Sequence, residues 1–364
     1  LRIKSRHHRR IMNKGVTHTT LEKPFETESG FRFENAEAAY KTWGSLNRER
    51  NNVILICHAL TGHAAADEWF SGIFGKGKIC DPETHFIICI NVPGSPYGSV
   101  GPWSSDPTTG QPYRERFPEI TIRDMVRFQQ KLIDQLDIRG IELVLGGSLG
   151  GMQALEFLVM DDRVDSAALI AMGKAHSPWA IGISHAQRTA LLSDPEWKGG
   201  RYQKGEGPKN GLAAARMMAM ITYRSPNDYE RKFSRNRQAD SPLFEVESYL
   251  DYQGQKLAER FDAHSYILLT KAMDTHDVSR DRGSFEEVLS EIEKPVRVIG
   301  FDSDHLYPTH EQKELASLLG NAEYLEISSP YGHDAFLIEF DQLNELITPL
   351  RTPKNYQDQH HVTT

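Results

Sequence analysis

Residues 143–157 read LVLGGSLGGMQALEF: aliphatic positions run into Gly146-Gly147-Ser148-Leu149-Gly150, and helix formers follow at once. A serine in a G-x-S-x-G setting between a strand and a helix suits a nucleophile held on a sharp turn. Glycines tolerate strained backbone and keep the neighbouring surface clear. The new helix also points its N-terminal N–H groups and positive dipole end at any negative charge that develops there. A phosphate-binding loop fits less well, because GxGxxG is not met (Leu145 precedes Gly147 and Gly150 where the first glycine belongs, and Ser148 stands between Gly146 and Gly151 where the second belongs) and no GK[ST] follows.

A serine hydroxyl attacks only when a base takes its proton. In a fold of this kind the acid follows a later strand and the histidine lies near the end of the chain. The stretch VIGFDSDHLYP offers Asp302 and Asp304, and YLEISSPYGHDAFL offers His333 and Asp334. His333 is expected to take the proton of Ser148, while an acid fixes its tautomer and stabilises the imidazolium. Position alone does not choose between Asp302 and Asp304. The other oxyanion donor belongs in the loop CHALTGHAA (57–65), so the backbone N–H groups of Leu60 and Leu149 form the expected pair. His58 reads as a brace beneath that loop.

Parallel strands with helices on both faces would position these groups. The runs 52–60, 85–92, 141–147, 166–172, 295–301 and 322–328 are almost wholly apolar, as strands covered on both faces should be. Between them, 122–136 has apolar residues at helical spacing and 151–160 is rich in helix formers. This alternation predicts an α/β fold with a mostly parallel sheet and helices on both faces. Residues 177–290 break the rhythm with helical stretches and no convincing strand. They are expected to form a helical lid inserted into a core of 15–176 and 291–350, with 1–14 and 351–364 as disordered tails.

The chain has 364 residues, 39% hydrophobic and 25% charged, which suits a globular protein larger than one ordinary core. A net charge of −8 gives no reason for a nucleic-acid partner. No apolar run approaches the roughly 20 residues of a membrane span. The three cysteines, Cys57, Cys80 and Cys89, lack CxxC spacing and read as buried thiols in a reducing compartment. No convergent metal-ligand set is apparent in MDTHD or HDA. The basic start LRIKSRHHRRIMNKG has no apolar segment and is no secretory signal. Its arginines and lack of acids allow a mitochondrial presequence, Met12 is an alternative start, and the cytoplasm is the expected location.

Taken together, HALTG, GGSLGGMQALE, FPEITIRDMVR, VESYLDYQGQKLAERFDAHSYILLTKAMDTHD, DSDHLYP and YGHDAFL resemble the homoserine O-acyltransferases of the α/β-hydrolase superfamily, specifically the acetyltransferase type. The likeness runs from about residue 20 to 350. It implies an α/β-hydrolase fold and ping-pong transfer of an acetyl group from acetyl-CoA, through Ser148, to the hydroxyl of L-homoserine in methionine biosynthesis. Acetyl-CoA is then a substrate, and no cofactor is implied. The D-x-L-[FY]-P pattern of the family selects Asp304. Its amino-acid contacts carry over to Arg216, Tyr223 and Asp334, where a guanidinium suits a carboxylate and a carboxylate suits an ammonium. The family also suggests a homodimer through the lid helices, whose apolar residues include Tyr249, Tyr252, Leu257 and Phe261; packing of the lid on itself is the alternative.

The loop NVPGSPYGSVGPWSSDP (91–107) departs from the family's glycine-rich loop at Ser95-Pro96 and Ser99-Val100-Gly101. A succinyl donor and a serine acceptor therefore stay open. A carboxylic-ester hydrolase could use the same triad, since fold alone does not assign function. A non-catalytic protein on this fold would be expected to lack a triad member, and here all three positions are kept.

Overall fold

A computed structural model describes residues 15–351. The basic start with Met12 and the tail from 352 onward lie outside the described residues. The β-branched and aliphatic runs form the strands β5 (Val53–Cys57), β6 (Phe86–Ile90), β7 (Leu143–Gly147), β8 (Ala167–Ile170), β9 (Val296–Phe301) and β10 (Ala322–Ile327). These pair in parallel in the order β6-β5-β7-β8-β9-β10. The sheet is extended at the β6 edge by β4 (Glu37–Trp43) and then β1 (Thr17–Thr20), both antiparallel, while β2 (Phe25–Glu26) and β3 (Arg32–Phe33) form a separate small hairpin.

Continuous apolar runs do not reveal β1 and β4, because THTT and EAAYKTW mix polar and apolar residues. Nor is every run covered on both faces. The last strand, β10, lies at the sheet edge with Glu323 and Glu326 exposed, and its polar residues follow from that position.

The helices are α1 (Ala66–Trp69), α2 (Ile122–Gln135), α3 (Leu149–Met160), α4 (Pro178–Leu192), α5 (Lys209–Tyr223), α6 (Pro226–Phe233), α7 (Glu245–Arg260), α8 (Ala263–Asp274), α9 (Phe285–Ser290), α10 (Thr309–Leu318) and α11 (Phe340–Ile347). Thr121 starts α2 through a capping box with Asp124. Two apolar clusters sandwich the sheet: Val53, Leu55 and Cys57 join Met125, Phe128 and Leu155, whereas Ile54 and Ile56 join Leu343 and Ile347. The alternation along β5 thus sends neighbouring residues to opposite cores. Burying each such side chain stabilises by about 1.5–3 kcal/mol.

Between β8 and β9 the described residues form α4 to α9 and no strand. Helices α4 to α8 leave and rejoin the sheet through a narrow neck. There Ala175 bridges Asp277, His176 N donates to His276 O at 2.8 Å, and Val278 N donates to Lys174 O. After the neck, α9 packs on the α10 side of the sheet, where Gly320 N donates to Leu289 O. Within the cap, α5 and α7 approach closely enough that a Cβ on Gly254 would lie 2.8 Å from Ala213 O.

The lid side chains named as a dimer face need correcting. Leu257 and Phe261 are buried, and Tyr249 is half-buried against Phe233 at 5.0 Å between rings. Of the four, Tyr252 alone is exposed. The others seat the cap on itself and on the core, which is where an amphipathic helix places its apolar stripe.

Candidate active site

Ser148 sits between the end of β7 and the first turn of α3 with φ 56° and ψ −124°. That conformation costs about 1–3 kcal/mol for a residue with a side chain, and it corrects the expectation that the glycines carry the strain. The serine itself is in the left-handed region, whereas none of its flanking glycines has positive φ. The glycines instead make room. A Cβ on Gly150 would lie 2.1 Å from Cys57 O, one on Gly146 would lie 2.4 Å from Gly150 C, and one on Gly147 would lie 2.7 Å from the ring of Phe336. Helix α3 can therefore start directly after the serine and against β5. Ser148 N donates to Ile170 O at 2.9 Å and Ser148 O accepts from Met152 N at 3.1 Å, which pins the strained residue from both sides.

Asp304 and His333 meet in the buried region behind this elbow. His333 Nδ1 lies 2.7 Å from Asp304 Oδ2, and Asp304 Oδ1 accepts from the backbone N–H groups of Leu306 and Tyr307 at 2.8 and 3.0 Å. The carboxylate is thus locked by its own loop while its other oxygen orients the imidazole. Asp302, the competing acid, accepts instead from Ser328 Oγ at 2.6 Å and Ser329 N at 3.0 Å, tying the ends of β9 and β10 together. The His333 ring packs against Tyr307, Tyr223 and Phe336 at centroid distances of 5.3, 5.5 and 5.4 Å. Phe336 is the ring that lies against Gly147, so the imidazole borders the serine turn.

On the other side of the elbow, Ala59 to Gly62 form a turn closed by Gly62 N donating to Ala59 O at 2.9 Å. Among the described residues, neither the Leu60 nor the Leu149 N–H donates to a protein acceptor. His58 underlies this turn, fully buried: its Nε2 accepts from Val92 N at 3.1 Å, so its Nδ1 carries the proton and donates to Ala59 O at 2.9 Å. Burial pushes its pKa down to about 4, which keeps the ring neutral.

The residues singled out for an amino-acid substrate converge around His333. The Arg216 guanidinium lies over the Tyr223 ring at 5.3 Å, and among the described residues it makes no ion pair. Asp334 does have a partner: its Oδ2 lies 3.0 Å from Arg224 Nε. Burial raises the Asp334 pKa, while Arg224, Arg216 and His333 oppose that rise. Arg224 was not singled out from sequence, although it follows Tyr223 directly. It also reaches Asp228 at 3.2 Å.

Tyr307 was overlooked too, although it lies within the DSDHLYP stretch. Its buried hydroxyl is 3.1 Å from His176 Nδ1 and borders the Ser148 side chain. In the loop 91–107, Ser99 Oγ donates to Asn91 O at 2.5 Å and accepts from Ala39 N, so this departure from the family pattern is a structural brace. Gly94, with φ 86°, would set a Cβ 2.6 Å from Leu268 of α8, so the loop lies directly under the cap. The acids and histidines of MDTHD have other work: Asp274 pairs with Arg188, His276 bonds Gly173 O, and Asp277 holds Ser279.

A parallel sheet of this order, carrying a serine elbow and a histidine–aspartate pair on its later loops, defines an α/β hydrolase; the family model described as alpha/beta hydrolase fold matches residues 52–340. The chain is 52% identical to the homoserine O-acetyltransferase of Chlorobium chlorochromatii (strain CaD3), across 90% of this chain and 93% of that protein. It is 50% identical to the homoserine O-acetyltransferase of Nostoc punctiforme (strain ATCC 29133 / PCC 73102), with the same coverage. The crystal structure of homoserine O-acetyltransferase from Bacillus anthracis superposes with TM-score 0.86 at 29% identity, covering 93% of this chain and 98% of that one. The chain belongs to the homoserine O-acetyltransferase family and is an acyltransferase.

Proposed function

We propose that this enzyme moves an acetyl group from acetyl-CoA to the hydroxyl of L-homoserine through an acyl-enzyme on Ser148. His333 takes the Ser148 proton as Oγ attacks the thioester carbonyl, and Asp304 holds the ring and stabilises the imidazolium. The N–H groups of Leu60 and Leu149 receive the oxyanion. When the intermediate collapses, the C–S bond breaks and CoA leaves with the proton from His333. The homoserine hydroxyl then attacks the ester, giving its proton to His333, which returns it to Ser148 as O-acetylhomoserine departs.

The observation that carries this reading is the charge arrangement beside His333. Arg216 offers an unpaired guanidinium for a carboxylate, and Asp334 on the adjoining residue offers an anion for an ammonium. An amino-acid acceptor needs both, and a generic ester hydrolase needs neither. Water as acceptor is the second reading, because the acetylester hydrolase of Corynebacterium glutamicum shares the fold at TM-score 0.83 and 25% identity. The proposal places the reaction in methionine biosynthesis in the cytoplasm, with no cofactor beyond the acyl donor. It includes a homodimer formed through the cap helices, whose exposed apolar side chains include Trp179, Leu192, Ile221 and Tyr252.

Thiol release from acetyl-CoA or succinyl-CoA, measured with homoserine, serine or no acceptor, tests it. Sustained release from acetyl-CoA that requires homoserine and vanishes in Ser148→Ala supports the transfer. Equal release without any amino acid means hydrolysis, and a preference for succinyl-CoA or for serine reassigns the donor or acceptor.

A further inference from the structure

The turn that presents the Leu60 N–H is held from beneath by His58, and from the cap side by a residue with no assigned role. Arg260, the last residue of α7, donates from Nη1 to Thr61 O at 2.9 Å and from the same nitrogen to the Tyr97 hydroxyl at 2.5 Å. Its Nη2 lies 3.4 Å from Thr61 Oγ1. Thr61 follows Leu60 within the Ala59–Gly62 turn. Tyr97 belongs to the loop 91–107 and packs edge-on against Phe261 at 5.8 Å and against His63 at 5.4 Å. One guanidinium therefore joins three separate segments: the end of a cap helix, the loop under the cap, and the turn beside Ser148.

The geometry points to Arg260 as a positioning residue that ties the cap to the oxyanion turn, holding the Leu60 N–H toward the charge that forms on the reacting carbonyl oxygen. This rests on the acyl-enzyme reading of Ser148 and Leu60 given above. The physical reason lies in the turn itself. With Ala59 O held by Gly62 N and His58 Nδ1, the peptide that carries the Leu60 N–H is tied through one hydrogen bond to the peptide between Thr61 and Gly62. Fixing its carbonyl fixes the turn, and a preorganised donor needs no reorganisation as charge develops. A planar fork can grip Thr61 and Tyr97 together, whereas an ammonium on a flexible stem cannot hold the same geometry. Because the guanidinium comes from α7, the oxyanion donor is complete only while the cap is seated.

The test uses an alkyl trifluoromethyl ketone, which adds to the serine to give a hemiketal oxyanion, together with the KM for homoserine. Arg260→Ala is expected to weaken hemiketal binding and slow acylation by about 10- to 100-fold, less than outright loss of a donor. The homoserine KM should stay within about twofold. Methylguanidine should restore part of the loss in Arg260→Ala, and Arg260→Lys should fall between parent and alanine. If Arg260→Ala does not fold, Arg260→Lys alone decides, since unchanged hemiketal affinity in it overturns the proposal. Unchanged affinity in a folded Arg260→Ala overturns it as well, as does an equal loss in hemiketal affinity and homoserine KM that methylguanidine does not relieve. Ser148→Ala separates the two levels: if it binds the ketone as the parent does, the acyl-enzyme reading fails, whatever Arg260 does.

Discussion

Asp302 and Asp304 lie two residues apart at the end of one strand, yet their carboxylates do different work. Asp304 spends one oxygen on its own loop and the other on His333, while Asp302 staples β9 to β10. Asp304→Asn should therefore lower kcat by about a thousandfold or more, since an amide cannot stabilise the imidazolium and favours the wrong tautomer. Asp302→Asn should cost about 1 kcal/mol of stability with kcat nearly unchanged. Steady-state rates and urea denaturation on the pair separate the two roles. At the acceptor end, Asp334→Ala should raise the homoserine KM far more than it slows enzyme acylation, measured as thiol release in a single turnover. Its pairing with Arg224 adds that Arg224→Ala should shift the same KM, because the guanidinium orients that carboxylate.

At the level of elements, the junction between β7 and α3 is set by space. A Cβ on Gly150 would meet the backbone oxygen of Cys57 at 2.1 Å, where no flexible side chain can yield. Gly150→Ala should cost about 1–3 kcal/mol of stability through forced backbone movement, and it should lower acylation by displacing the Leu149 N–H. Gly182 is the control, for it lies in α4 with nothing within 4 Å of its Cβ position. Gly182→Ala should stabilise by up to about 1 kcal/mol through helix propensity. Denaturation midpoints of the two variants give opposite signs if both readings hold. The central strands and α2 were legible because their residues are apolar at the period of their own element. The strands β1 and β4 were not: β1 forms the sheet edge and β4, beside it, is half-buried over most of its length, so both keep polar residues that carry no such signal.

Across the whole molecule, buried neutral imidazoles make stability depend on pH. His58 is fully buried with a pKa near 4, and His176 is buried with one near 3; burial is the first cause in both. An unfolded histidine titrates near 6.5, so between that value and the folded one the unfolded chain binds more protons. Stability then rises with pH through this window: it is fully present above about 6.5 and is lost as the pH falls toward 4. The His58 contribution alone is about 3 kcal/mol. The melting temperature should drop between pH 7 and pH 5, and His58→Asn, though less stable at pH 7, should show a shallower drop. A profile as steep as the parent's would remove His58 from the account.

What the sequence determined by itself was the set of groups that do chemistry and the order in which they occur. G-x-S-x-G with a strand before it and a helix after it, acids after a late strand and a histidine near the end are local patterns, each written in contiguous residues. The tertiary structure decided which acid faces the imidazole, which backbone carries the strain, that Asp334 already has a guanidinium beside it, and that Arg260 clasps a turn 199 positions away in the chain. These are contacts between segments joined only by folding. No spacing or periodicity along the chain encodes them, because sheet order and close approach of backbones set them.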